Sequence, residues 1–299
     1  VGLSQVKVII SNIHGTIDLG LVPYVEKSIA IAEEKDASYI IFDINTFGGR
    51  VDAATQIKDA ILNSKVNTVA FIDKRAISAG ALISLSCKKV VMTEGASMGA
   101  ATAVDIQGEK ASEKIQSFMR AEMATIAEKN GRDKKIAESM VDEDIEINGV
   151  IEKGKLLILT SEKAVELKMA DFIANSHAAL FDSLEIKNAD SEKIESTWAE
   201  MLVRFLTDPI VSSMLLTLGG IGLFMEIKSP GWGIPGTLGV VFLALFFGSH
   251  YIVNLASVIE ITLVIAGIIL ILVEVFVIPG FGVAGILGFI SLSIGLFLS

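Results

Sequence analysis

An α/β domain built on a parallel sheet, followed by an α-helical membrane domain of about four spans, is the architecture the sequence predicts. Three observations predict it. Short apolar runs alternate with amphipathic segments at β-α-β spacing through the first part of the chain. The composition then breaks at Asp208, after which the only Lys, Arg, Asp or Glu are Glu226, Lys228, Glu260 and Glu274. Finally, the tail repeats itself. Pro230-Gly231-Trp232-Gly233-Ile234-Pro235-Gly236-Thr237-Leu238-Gly239 corresponds to Pro279-Gly280-Phe281-Gly282-Val283-Ala284-Gly285-Ile286-Leu287-Gly288. Glu226 and Glu274 stand shortly before the two copies.

In chain order, residues 6–11 predict a buried strand and 17–34 an amphipathic helix. A strand over 39–44 leads into Gly48-Gly49, and a helix follows from about Asp52 to Asn63. A strand over 67–72 leads to Ser78, which starts another helix, and 89–92 form one more short strand. Gly95-Ala96-Ser97-Met98-Gly99-Ala100 is a small-residue loop, and 101–111 read as irregular. Ser112 is placed to cap a helix that runs to Asn130 and stops at Gly131. In parallel sheets, active groups collect at the carboxyl ends of strands. Gly48-Gly49 and Ser78 both follow strands directly and share that edge.

Composition removes several classes of function. The net charge of −10, with no basic stripe, argues against nucleic acid. Cys87 is alone, so no internal disulfide or thiolate metal site forms, and it reads as a small buried hydrophobe. His14, His177 and His250 are scattered, and no metal or cofactor is expected. The chain opens directly into an apolar strand and ends in an apolar run, so trimmed ends or a mature N-terminus are expected.

Adjacent glycines after a strand leave backbone N–H groups uncovered. A serine at a helix start, flanked by small residues, has an accessible hydroxyl. A nucleophile beside backbone donors is what acyl transfer requires; each half alone also fits an ordinary turn and an N-capping serine. Neither His14 nor His177 is well placed to activate Ser78, which makes lysine the better base. On the 112–130 helix, Ile115, Phe118, Met119, Met123 and Ile126 make an apolar face with Glu122 at its edge. Lys114 lies one turn before Phe118. Partial burial and the helix N-terminus would both favour its neutral amine; alternatively it snorkels to solvent. Ser84 and Ser86, deeper in the serine helix, read as structural.

These residues resemble the Clp-type serine protease fold, and most of all the long-form NfeD membrane-bound proteases that partner stomatins. Signal peptide peptidase A is a more distant likeness. The resemblance rests on the Gly48-Gly49 turn, the Ser78-Ala79-Gly80 helix start, the 95–100 loop and the lysine-bearing helix. It extends to the stretch from Leu159 to Asp171, where Lys168-Met169 replace the usual Gly-Leu. It implies a Clp/crotonase-like protease domain over 1–190, an interfacial linker helix over 191–208 and a transmembrane domain over 209–299. It further implies Ser78 as nucleophile, Lys114 as general base with Lys110 as second candidate, and the N–H groups of Gly49 and Ala79 as oxyanion donors. Gly48, Gly49, Ser97 and Met98 would bind substrate. The implied partners are a stomatin-like membrane protein, an apolar peptide substrate and copies of the same chain. The implied location is the cell membrane, with the protease domain outside the cytoplasm. The family's usual C-terminal OB-fold domain is absent from these residues.

Prolines and glycines divide the tail into apolar runs near 210–227, 234–252, 256–278 and 280–298, each near the length of a bilayer-crossing helix. The two-span repeat puts both Pro-Gly turns on one side, with Trp232 and Phe281 as interface anchors. Glu260 and Glu274 should face protein or water, as polar glue or, in a transporter reading, as an ion path. Residues 195–208 alternate apolar and charged and predict an interfacial helix. A non-enzymatic scaffold that assembles with stomatin-type proteins is the main rival reading.

Overall fold

The computed structural model describes residues 5–104, 108–227, 233–253, 258–276 and 282–298. The anchors expected at Trp232 and Phe281 and the side chain of Glu260 lie outside the described residues. The chain divides into two units, Val1–Ser196 and Thr197–Ser299.

In the first unit one sheet is built from β1 (Val6–Ile17), β2 (Tyr39–Gly49), β3 (Asn67–Ile77), β4 (Lys89–Met92), β5 (Ser97–Gly99), β6 (Ile158–Thr160), β7 (Phe172–Ile173) and β8 (Ala189–Ile194). The order is β6-β5-β3-β2-β1-β8, with β4 also beside β3 and β7 beyond it. Every pairing is parallel except β5 with β6. Around the sheet lie α1 (Leu21–Glu34), α2 (Val51–Asn63), α3 (Ala79–Ser86), α4 (Glu113–Lys129), α5 (Lys134–Ser139), α6 (Ser161–Glu166) and α7 (His177–Ser183).

Both faces of the sheet are apolar, as a parallel sheet covered on two sides requires. On one face Val8, Ile10, Ile41, Val69, Phe71 and Val91 pack with Leu180 and Ile186 from α7 and the segment after it. Alternation sends Ile9, Ile40, Phe42, Ala70 and Ile72 to the other face, and all are buried.

Several boundaries differ from the sequence expectation, among them those of β2 and β3, which run on past Ile44 and Ile72 to Gly49 and Ile77. The first strand runs on to Ile17 because Thr16 and Ile17 pair with Gly48 and Gly49, so the glycine pair is held inside the sheet. Ile17 therefore ends a strand and the following helix starts at Leu21. Residues 189–194, placed across the limit of the protease domain and the linker helix, are strand β8 on the free edge of β1.

The second unit holds α8 (Trp198–Leu206), α9 (Pro209–Ile227), α10 (Ile234–Ile252), α11 (Val258–Phe276) and α12 (Val283–Leu298). α8 opens on a capping box between Thr197 and Glu200. It exposes Trp198, Met201, Leu202 and Phe205, which share one face at i, i+3, i+4 and i+7. α9 and α10 are each long and apolar enough to cross a bilayer. α9 packs on α10, and α11 on α12. Glycines set the closeness of both hairpins: a Cβ on Gly239 would lie 2.8 Å from Leu223 N, and one on Gly288 2.8 Å from Gly267 O.

The buried Glu226 and Glu274 play the same part in the two hairpins. Glu226 accepts from the N–H of Gly233 and, at 2.7 Å, from that of Gly236. Glu274 accepts from the N–H of Gly282 and, at 3.1 Å, from that of Gly285. Each carboxylate caps the N-terminus of the next helix, where orphan donors and the helix dipole favour negative charge. Glu274 thus faces protein, and its polar contacts are made within its own hairpin.

Candidate active site

Ser78 stands at the turn between β3 and α3 with φ 55° and ψ −120°, a backbone that a non-glycine residue adopts only at a cost of about 1–3 kcal/mol. The turn is held because the Ser78 N–H donates to Gly99 O at 2.9 Å and the Ala81 N–H donates to Ser78 O at 2.9 Å. Its side chain makes no capping hydrogen bond, so the hydroxyl of this half-buried serine is not spent on the helix. Ser84 and Ser86 do spend theirs, donating to Gly80 O at 2.7 Å and Ile83 O at 2.6 Å. Cys87 is fully buried, and burial pushes its thiol up to about 12.

Gly48 lies directly against this serine. A Cβ there would fall 2.6 Å from Ser78 Cβ and 3.0 Å from its Oγ, and the residue has φ +113°. The Gly48 N–H is taken by Thr46 Oγ1 at 2.9 Å, while the Thr46 hydroxyl donates to Gly15 O at 2.6 Å. The Arg50 N–H donates to Ile17 O on β1 at 2.8 Å. Successive N–H groups of a strand point to opposite sides, so that of Gly49 points away from β1. On that side the ladder between β2 and β3 has already ended at Thr46 and Ala76. Ala79 begins α3, where an N–H has no intrahelical acceptor. What the contacts establish is a serine hydroxyl packed against Gly48, at the end of β3 and the start of α3.

The lysines are placed differently from expectation. The buried face of α4 is Gln116, Met119, Met123, Ile126 and Ala127, while Ile115 and Phe118 are exposed. Lys114 is exposed with them, so the partial burial expected of it is absent. Gln116, 1% exposed, takes the inward position and donates to Ala103 O at 2.5 Å. Lys110 lies 3.1 Å from Glu143, whose hydrogen bond raises the lysine pKa. Of the two substrate-facing residues expected in β5, Ser97 is half-buried. Met98 is fully buried, because β5 lies between β3 and β6, and its side chain belongs to the core.

One pair went unseen in the sequence. His177, the first residue of α7, bonds the buried Asp43 of β2 at 2.8 Å and lies against the rings of Phe71 and Phe181. The hydrogen bond to Asp43 raises its pKa against the opposing effect of burial. The separation of 134 residues leaves no local signal.

Residues 6–195 match the NfeD1b N-terminal domain and residues 210–299 the NfeD integral membrane domain. The chain belongs to the NfeD family. It is an integral membrane protein, as the NfeD membrane domain and two apolar helices indicate. It is 40% identical over 288 residues to the membrane protein NfeD1b of Bacillus subtilis, covering 96% of this chain and 65% of that protein. It is 26% identical over 314 residues to the membrane-bound protease PH1510 of Pyrococcus horikoshii, covering 96% of this chain and 68% of that one. The chain therefore spans about two thirds of the length of these NfeD relatives. Among solved structures, the 1510-N membrane-bound stomatin-specific protease shares the fold. A lysine-to-alanine variant of it, in complex with a substrate peptide, superposes with a TM-score of 0.60 at 24% identity over 69% of this chain and all of that one. A serine-to-alanine variant gives 0.58 at 24% identity over 65% of this chain and all of that one. The α/β protease fold expected from the sequence is the fold of this NfeD domain.

Proposed function

We propose that this NfeD protein is a membrane-anchored serine endopeptidase. Ser78 is the nucleophile, Lys114 the general base, and the Gly49 and Ala79 N–H groups hold the oxyanion. The observation that carries the reading is the strained Ser78 turn, with an uncommitted hydroxyl packed against Gly48. Backbone strain kept at one serine, on the edge where β2 and β3 end, is more than a capping residue needs.

Lys114 is preferred to Lys110 because an ammonium held by Glu143, with its pKa raised, is a poor proton acceptor. A peptide laid over the exposed Lys114 shelters it from water, so the base is enclosed only when substrate binds. The lysine-to-alanine variant of the P. horikoshii protease solved with a substrate peptide supports a lysine at this step.

An extended peptide adds as a strand beside Gly48 and Gly49, past the last β2–β3 pair at Thr46 and Ala76. The substrate is an apolar segment, drawn from a stomatin-like membrane protein. Four spans, α9 to α12, anchor the chain, with α8 lying along the bilayer surface through Trp198, Met201, Leu202 and Phe205. The protease unit works outside the cytoplasm, as a homo-oligomer.

The test is cleavage of apolar peptides by the full chain in detergent, with and without a stomatin-like partner. Ser78→Ala and Lys114→Ala should each lower turnover by roughly 10³-fold or more, while Lys110→Ala cuts normally. Loss of turnover in Lys110→Ala but not in Lys114→Ala moves the base to Lys110. Failure of the wild type under both conditions favours the scaffold reading, to which the exposure of Lys114 lends its one support.

A further inference from the structure

Phe47 and Arg75 hold a place at the site that the chemistry of Ser78 leaves unexplained. Side chains alternate between the two faces of a strand. Thr46 and Gly48 both turn toward α3: a Cβ on Gly80 would lie 2.5 Å from Thr46 Cγ2, and one on Gly48 2.6 Å from Ser78 Cβ. Phe47, between them, projects from the opposite face and is 74% exposed. On β3, Ala76 also faces α3, 3.5 Å from the same Cβ position on Gly80, so Arg75 emerges beside Phe47. The Arg75 guanidinium stands 4.3 Å above the centroid of the phenyl ring.

The contact bridges β2 and β3 where their ladder ends at Thr46 and Ala76. Among the described residues the guanidinium has this ring contact and no ion pair. A cation over an exposed ring is a weak contact, readily exchanged for a carboxylate that a guanidinium grips with two parallel hydrogen bonds. A large exposed ring likewise gains from being covered by an apolar group.

A peptide strand laid beside Gly48 and Gly49 presents its side chains alternately to the two faces. Those on the α3 face meet Ser78, and their neighbours in sequence emerge against Phe47 and Arg75. We infer that Phe47 and Arg75 form a specificity pair, the ring taking an aliphatic side chain and the guanidinium a carboxylate. The favoured substrate is then an apolar peptide carrying Asp or Glu next to the residue that faces Ser78. This rests on the peptide-binding part of the proposed function.

The test is binding of fluorescent apolar peptides to the full chain in detergent, carrying Ser78→Ala so that peptide is not consumed. A single Glu, or its Gln control, is walked through the peptide. One position should appear at which Glu binds about tenfold more tightly than Gln, the size of a charge-assisted hydrogen bond. Arg75→Gln should abolish that preference, and Arg75→Glu should transfer it to Lys. Phe47→Ala should weaken every peptide while leaving a Glu preference. If Arg75→Glu does not fold, Arg75→Lys takes its place, and a single-point contact should keep only part of the preference. Equal binding of Glu and Gln at every position, a preference that survives Arg75→Gln, or no binding of any peptide overturns the pair. Cleavage of the same peptides is followed with Ser78 intact. Selective binding without cleavage supports the pair and sinks the protease reading. Cleavage indifferent to Glu keeps the protease and overturns the pair.

Discussion

Replacing Gly48 with alanine isolates the contact between β2 and the serine turn. The added methyl would sit 2.6 Å from Ser78 Cβ, 3.0 Å from Oγ and 3.2 Å from Ile77 O. Carbon atoms pack at about 3.5–4.0 Å, so the serine or the strand must retreat by about 1 Å. A displacement of about 1 Å at a reacting group costs on the order of 10²-fold in turnover. The φ of +113° adds strain for any L residue, about 1–3 kcal/mol of stability. Gly95→Ala is the matched control, since its φ is +75° and nothing lies within 4 Å of the new methyl. Gly48→Ala should lose more stability than Gly95→Ala in thermal unfolding, because only its methyl clashes, and only Gly48→Ala should lose kcat in peptide cleavage at a temperature where both are folded. Gly49→Ala should instead fail to fold, because its methyl would be driven into the Ile17 backbone of β1. Equal kcat for folded Gly48→Ala and Gly95→Ala would refute the placement of Ser78 as nucleophile against Gly48.

Further outcomes follow from other contacts. The Asp43 bond raises the His177 pKa, so its contribution to stability is fully present below about pH 6.5, the unfolded value. That contribution is lost as pH rises through the elevated folded value; His177→Gln should flatten this part of a denaturation-versus-pH curve, with Lys193 and Asp73 as the other charges acting on the ring. Lys168 holds φ +55° where α6 ends. Lys168→Gly should raise stability by about 0.5–1 kcal/mol in urea unfolding, and no change would mean that the left-handed backbone carries no strain. Glu226→Gln or Glu274→Gln removes the charge from a helix cap, and each should lower stability in detergent by about 1 kcal/mol. Unchanged melting in both would mean that the carboxylates are not holding the hairpins.

How far the sequence reveals the fold depends on whether the governing contacts are local. The strands around 39–44 and 67–72, and the helices after Gly49 and Ser78, are legible from period and turn residues, and each appears in the structure. The length of β1 is not, because Thr16 and Ile17 are ordered by Gly48 and Gly49 on another strand. α4 shows the same limit at finer scale. Its extent follows from Ser112 and Gly131, but the apolar face read from the sequence is only partly the buried one. Ile115 and Phe118 face outward, since Gln116 finds an acceptor in Ala103. A polar residue satisfied by a distant carbonyl looks, in sequence, like a surface residue. Ser78 and the glycine pair stand out in the sequence because each follows an apolar run. Their contact is legible only once β2 and β3 lie side by side.

The carboxylates of Glu226 and Glu274 bear on how the second unit enters a membrane. Their acceptors are satisfied by N–H groups that follow within eleven residues. Each hairpin therefore carries the donors for its own buried carboxylate, and neither depends on the other for them. The α9–α10 hairpin, whose two helices are long and apolar enough to cross a bilayer, needs no donor from α11 or α12 to satisfy Glu226.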